Sequence, residues 1–312
     1  MITDLAFKPA VQAALDYINH IPAAPAQTDP VTAARDFYHR FIPMAGTPAA
    51  VKVVENCTLH TTEGLVNVRI YRPSDKAGLP VTVYFHGGWF YMGSLDTHDT
   101  PLRALTNAAD CVVVSVDYAL APEHPFPRGL KQGIAVVQWI ADHAGELAVD
   151  ANRIGVAGDS AGAALAAVIA HHAKEHGGPA LRFQALIYPV TDASLQTPSW
   201  KEFAEGLNLD LAGAELAWSL YIPNPKNRQY PDAAPLLAQD LTALPPALVI
   251  TAEYDPLRDE GIAYAAALRK SGVPVQETLY KGMIHGFFQM GGMIEEGKMA
   301  INETAAFIRK HF

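Results

Sequence analysis

The sequence predicts an α/β fold with a mostly parallel sheet packed between helices. Three observations carry this. Beyond residue 80, short runs rich in Val, Ile and Leu alternate with longer segments of helical spacing. Several of those runs are nearly all apolar, as strands buried on both faces of a parallel sheet are. Before residue 80, two runs flank Thr62-Glu63-Gly64 and read as a hairpin, which supplies antiparallel strands at one edge.

The elements follow in order. Residues 9–20 have helical spacing, with Val11, Leu15 and Ile18 on one face. A Pro/Ala stretch leads to Asp29-Pro30, which opens a second helix with Pro in its first turn. That helix runs to about residue 41 and stops near Pro43. Neither helix has a strand nearby, so both must pack on something later in the chain. The hairpin strands fall at 51–54 and 65–71, and the later strands at 81–86, 111–117, 153–158, 183–188, 247–253 and 275–280. The intervening helices are 97–109, 128–143, 161–176, 259–271 and 295–310. Between residue 192 and about 235 the rhythm breaks. Trp200, Phe203, Trp218 and Tyr221 are scattered over helix-like stretches with no strand. This interval reads as an insertion that joins the N-terminal helices in a cap over the sheet's C-terminal edge. The expected division is cap helices in 1–50, an α/β core in 51–191 and 236–312, and a cap insertion in 192–235.

The bulk composition narrows the function. The chain has 312 residues, 50% hydrophobic and 18% charged, with a net charge of −9. An acidic chain with no Lys/Arg-rich run is a poor partner for nucleic acid or an anionic membrane. No run of 18 apolar residues occurs, so stable membrane insertion is not expected. Residues 1–20 lack a basic segment followed by an apolar one and a small-residue cleavage site, and a cytoplasmic location is expected. Cys57 and Cys111 lie outside any Cys-x-x-Cys or Cys/His cluster, so there is no zinc signal. They read as two reduced core thiols, with a disulfide as the alternative.

Gly158-Asp159-Ser160-Ala161-Gly162 matches G-x-S-x-G. At roughly 7% each for Gly and Ser, about one chain of this length in ten carries the pattern by chance. The context adds weight, because a strand run precedes it and an Ala-rich helix follows. A strand-to-helix elbow lifts the serine hydroxyl to the sheet edge. Side chains two residues before and after would collide with the turn, so Gly158 and Gly162 are required. The helix N-terminus then faces the place where negative charge develops.

His86-Gly87-Gly88-Trp89 ends an earlier strand, about 70 residues before the serine. Two glycines free the backbone N–H groups to face a ligand. Acyl transfer needs such donors for the oxyanion of the tetrahedral intermediate. The expected donors are the N–H groups of Gly87, Gly88 and Ala161, with His86 bracing the loop rather than carrying protons.

On folds with this elbow the chain order is serine, acid, histidine. Asp255 follows the strand at 247–253, where a loop leaves the sheet's C-terminal edge. Asp192 ranks second because it opens the insertion, and Asp259 reads as the start of a helix, where a carboxylate suits the dipole. His285 follows the last strand, where the order requires the base; the carboxylate must hold its imidazole in one tautomer. His98, His124 and the pair His171-His172 read as core or surface residues. Adjacent positions on a helix do not face the same way, so the pair is a poor metal site.

These motifs together resemble one family. His86-Gly87-Gly88, the segment from Asp117 through Ala121-Pro122-Glu123-His124-Pro125-Phe126-Pro127, the serine elbow, Asp255-Pro256-Leu257-Arg258-Asp259-Glu260-Gly261 and His285-Gly286-Phe287 are similar to the hormone-sensitive-lipase-like esterases over residues 51–312. The resemblance implies an α/β-hydrolase fold with eight strands, a helical cap and a serine mechanism without metal or cofactor. It implies small-molecule substrates, namely short- to medium-chain acyl esters, and a homodimer. There are two departures from the pattern. Trp89 stands where the family has a third glycine, and Ala163 replaces a glycine after the elbow. Trp89 is expected to wall the substrate pocket, which Asp159 joins beside the nucleophile, and to restrict bulky esters. Two alternatives share the scaffold. An arylformamidase-type amidase carries the same loop and elbow, and a ligand-binding receptor lacks the catalytic histidine that His285 supplies here.

Overall fold

The computed structural model describes residues 7–312, so the first six residues of the expected 1–50 segment lie outside the described residues. The chain runs through helices α1 (Pro9–Asn19) and α2 (Pro30–His39), then β1 (Val53–Thr61), β2 (Gly64–Arg72), β3 (Leu79–Phe85), α3 (Asp99–Ala109), β4 (Val112–Asp117) and α4 (Arg128–Asp142). It continues through β5 (Val149–Asp159), α5 (Ala161–His176), β6 (Leu181–Ile187), α6 (Pro198–Glu202), α7 (Leu211–Tyr221), β7 (Ala247–Tyr254), α8 (Arg258–Lys270), β8 (Val275–Ile284) and α9 (Glu295–His311). One eight-stranded sheet has the order β1-β2-β4-β3-β5-β6-β7-β8. The β1–β2 and β2–β4 pairs are antiparallel and the others parallel. This is the α/β-hydrolase sheet with an antiparallel edge that the sequence predicts.

Strand periodicity divides the interior into two cores. In β4, Val112, Val114 and Val116 face one core and Val113 the other. In β7, Ala247 and Val249 oppose Leu248 and Ile250 in the same way. The first core takes the buried faces of α4, α5 and α8, and the second those of α1, α3 and α9. Helix α5 is buried without interruption from Ala161 to Ala170. Its run of alanines lets it lie close against the sheet, which brings its N-terminus to the ends of β3 and β5. Both cysteines are free; Cys111 is buried and Cys57 half-buried.

Three strands extend well beyond their predicted bounds. β1 runs over Val53–Thr61 rather than 51–54, because as an edge strand buried only at Leu59 it carries polar residues that hide its period. β5 begins at Val149, four residues early, and β8 continues to Ile284. Lys281-Gly282 interrupts the apolar pattern of β8, and Gly282 takes φ +75°. A register shift between Ala252 and Tyr254 absorbs that irregularity and lets the pair continue to Tyr254↔Ile284.

The segments outside the sheet meet the loops that leave its C-terminal edge. Asp29 caps α2 by accepting from Thr32 N at 2.9 Å, with Pro30 in the first turn. Arg35 of α2 donates to the carbonyls of Tyr91 and Ala121 at 2.8 and 2.9 Å and pairs with Glu123 through both oxygens. The Tyr221 ring stacks on Phe90 at 3.9 Å, a contact worth about 1 kcal/mol beyond its area. Among the described residues no helix is long and apolar enough to cross a membrane.

Candidate active site

The elbow has the strain its motif implies. Ser160 sits between β5 and α5 with φ +54° and ψ −122°, a conformation that costs about 1–3 kcal/mol for a non-glycine residue. The turn is over-determined: Ser160 N donates to Ile187 O at 2.8 Å, and Ala163 N returns to Ser160 O at 3.1 Å. A Cβ on Gly158 would run into the Gly162 carbonyl, and one on Gly162 into the Phe85 carbonyl. Both glycines are therefore fixed by close backbone approach.

His285 lies just beyond β8, and Gly286 at φ +85° turns the chain away. Its Nε2 is 3.0 Å from Ser160 Oγ and its Nδ1 is 2.8 Å from Asp255 Oδ2. Asp255 is fully buried just after β7, and its Oδ1 accepts from Leu257 N at 2.9 Å. A carboxylate at Nδ1 requires the proton there, which leaves Nε2 as acceptor for the serine hydroxyl. Tyr188 packs its ring 4.5 Å from the imidazole. The sheet order places β5, β6, β7 and β8 side by side, so residues 160, 255 and 285 share one edge. The other acidic candidates lie in local contacts. Asp192 accepts from the N–H and hydroxyl of Ser194, and Asp259 from Ser199 N. His311, which also follows Ser160 in the chain, bonds the Phe307 carbonyl and packs on its ring at the end of α9.

The glycine loop differs from expectation in one donor. Gly87 N does not face the pocket; it donates to Asp159 Oδ1 at 3.0 Å. The N–H groups of Gly88 and Ala161, and also of Trp89, have no protein acceptor among the described residues. The loop turns sharply, with φ +121° at Gly88, +54° at Trp89 and +63° at Phe90. The Gly88 carbonyl accepts from Tyr91 N and Met92 N at 3.2 and 2.8 Å, which closes the turn and directs the N–H groups outward.

Asp159 was expected in the pocket lining. It reaches that lining, but it is 1% exposed and acts mainly as a brace. Its Oδ1 takes donors from Tyr84 Oη at 2.9 Å, Gly87 N and His98 Nε2 at 3.0 Å. Burial pushes this carboxyl up, but His98 and the hydrogen bonds outweigh it and hold the group below the usual carboxylate range. His86 braces the same loop. Its Nδ1 lies 2.8 Å from the Gly87 carbonyl and its ring stacks on Tyr118 at 4.4 Å. Burial, followed by neighbouring His98, lowers its pKa to about 4, so it is neutral at pH 7.

By sequence His98 reads as a plain core or surface residue; the structure gives it more. Its Nδ1 meets Thr97 Oγ1 at 2.9 Å, the Gln289 amide packs against its ring, and Tyr38 Oη donates to Gln289 Oε1 at 2.9 Å. A buried polar cluster thus gathers α2, the loop after His285 and the residue beside Ser160. Its members are separated by up to 251 residues, so no local spacing announces them.

Above Ser160 and His285 lies a cavity of about 210 Å³. Phe37, Tyr38, Phe41, Trp89, Leu209 and Asp210 are among the residues that line it. Trp89 is 6% exposed and tilts against Trp200 at 6.3 Å. The lining is mostly apolar, with the reacting groups at its floor, as suits a neutral small molecule.

Comparison with known proteins agrees with this geometry. A family model described as alpha/beta hydrolase fold matches residues 82–289. The chain is 39% identical to Esterase LipI of Mycobacterium tuberculosis over 308 residues, covering 97% of this chain and 95% of that one. It is 42% identical to Carboxylesterase NlhH of the same organism over 251 residues, 78% of each chain. The ester-hydrolase EH1AB1 from the metagenome of Lake Arreo, solved with a bipyridine phosphonate derivative, superposes with a TM-score of 0.93 at 38% identity, covering 98% of this chain and 99% of that one. On its motifs, its sheet and these relatives, the chain belongs to the α/β-hydrolase family, among its hormone-sensitive-lipase-like esterases.

Proposed function

We propose that the protein is a serine carboxylesterase that cleaves short- to medium-chain acyl esters of small alcohols. One observation carries this most directly: Ser160 Oγ, His285 and Asp255 form a continuous hydrogen-bonded chain at the floor of an apolar pocket. The named activities of the relatives, an esterase and a carboxylesterase, support the same chemistry.

Ser160 Oγ attacks the ester carbonyl as His285 Nε2 takes its proton, and Asp255 stabilises the imidazolium that forms. The carbonyl oxygen becomes an oxyanion beside the free N–H groups of Gly88, Trp89 and Ala161, which replace the expected set containing Gly87. Each such donor is worth about 10²–10³ in rate. His285 then protonates the leaving alcohol. Water enters, loses its proton to His285, and releases the acid from the acyl-enzyme.

The described part of residues 1–50, together with 192–235, acts as a cap over the core of 51–191 and 236–312. Supporting this, residues of α2 with Asn208, Leu209, Asp210 and Gly213 line the pocket from outside the sheet. The closeness of these walls, with Trp89 among them, limits the acyl chain to roughly eight carbons, a pocket-size estimate.

The test is Ser160→Ala assayed on p-nitrophenyl butyrate. Turnover is expected to fall by at least ~10⁴-fold with the fold intact. Unchanged turnover rules out the nucleophile and with it the proposal.

A further inference from the structure

We infer that Asn208 is a positioning residue for His285, through which the segment covering the pocket governs the orientation of the base. The inference rests on the esterase assignment above. Asn208 lies between α6 and α7, in the pocket wall. Its Nδ2 donates to the backbone carbonyl of His285 at 3.1 Å. Among the described residues it is the one side chain of 192–235 that hydrogen-bonds the loop following β8.

The contact falls where the backbone has least support of its own. His285 is past the end of β8, so its carbonyl has left the sheet ladder, and no backbone N–H reaches it. Rotation of the peptide between His285 and Gly286 would swing the imidazole, which must keep 3.0 Å to Ser160 Oγ and 2.8 Å to Asp255 Oδ2 at once. Asp255 grips the ring, and Asn208 grips the backbone that carries it. The approach needs a glycine: a Cβ on Gly286, at φ +85°, would come within 3.1 Å of Asn208 Nδ2. The segment presenting Asn208 is itself fixed. Leu209 is buried, and Asp210 caps α7 by accepting from Gly213 N at 2.6 Å. Displacing this segment removes the donor from His285, so an opened pocket holds its base less firmly than a closed one.

The experiment compares Asn208→Ala and Asn208→Asp with the parent protein. Asp keeps the shape and loses the N–H. Turnover of p-nitrophenyl butyrate is expressed per serine labelled by a fluorophosphonate, which normalises for any misfolded fraction. Both variants are expected to lose about two- to tenfold in kcat, the range for one hydrogen bond, with KM unchanged. The labelling rate should fall by the same factor, since labelling needs the same base. The Asp variant should also move the acidic limb of the kcat/KM profile to higher pH, because its carboxylate favours the imidazolium. A merely structural role predicts a smaller labelled fraction or a raised KM with normal kcat per labelled serine, and that result overturns the inference. If Ser160→Ala remains active, the esterase assignment fails first. If Ser160→Ala is inert and Asn208→Asp turns over normally, the positioning role alone falls.

Discussion

Trp89 combines two properties that substitution can separate. Its backbone is held at φ +54°, and its indole is 6% exposed against Trp200. Removing a buried indole forfeits about 150–250 Å² of contact. At roughly 25 cal/mol/Å² that is about 4–6 kcal/mol. Part of the ring faces the cavity, so the low end of the mutational range applies, about 3 kcal/mol. Trp89→Ala and Trp89→Gly share that loss and differ only in the backbone. At an ordinary position glycine is the worse of the two by about 0.5–1 kcal/mol. In the left-handed region alanine carries a penalty of about 1–2 kcal/mol that glycine escapes. The order is therefore inverted, with Trp89→Gly the more stable by roughly 0.5–1 kcal/mol. Urea unfolding of the two variants measures this difference directly. Their kcat/KM for p-nitrophenyl pivalate relative to butyrate reads the pocket, and both should favour the bulkier ester more than the parent does. An alanine variant as stable as the glycine one refutes the strain argument. An unchanged ester preference refutes the role of the indole as a wall.

Two further outcomes concern groups around the site. His86 has a folded pKa of about 4 against 6.5 in the free side chain. Between those values the unfolded chain takes up a proton that the folded chain refuses, so stability is lost as pH falls from about 6.5 to 4, by about 3 kcal/mol. Urea unfolding at pH 7 and 4.5 should show a steeper loss for the parent than for His86→Asn; parallel losses contradict it. Glu260 is fully buried and accepts from Thr191 N, Asp192 N and Trp200 Nε1 at 2.7, 3.2 and 3.1 Å, which fastens the start of the 192–235 segment to α8. Glu260→Gln keeps the first two bonds but sets an amide N–H against the indole N–H. It should cost about 1–3 kcal/mol in thermal or urea unfolding, and a neutral effect would count against this fastening.

What could be read in the sequence follows physical locality. The elbow was legible because Gly158 and Gly162 answer to each other and to Phe85 across a few residues of chain and one neighbouring strand. The alternation of Val112, Val113 and Val114 between two cores made the sheet legible. Asp255 and His285 could be picked out because each follows a strand run, in the chain order serine, acid, histidine that this elbow goes with. The glycine loop was visible, but which of its N–H groups stays free was not. That depends on Asp159 Oδ1, 72 residues away, capturing Gly87 N. The cluster of Tyr38, Gln289, His98 and Asp159, and the contact of Asn208 with the His285 carbonyl, join groups from distant segments of the chain. No periodicity or spacing encodes such meetings; tertiary packing alone creates them.

A crystal structure of the protein inactivated by a p-nitrophenyl alkylphosphonate tests the whole constellation at once, because the phosphonyl group mimics the tetrahedral intermediate. The expected result is phosphorus bonded to Ser160 Oγ, its anionic oxygen within about 2.7–3.1 Å of the N–H groups of Gly88, Trp89 and Ala161, and Gly87 N still on Asp159. An adduct on another residue, or an oxygen turned away from those three amides, contradicts the account.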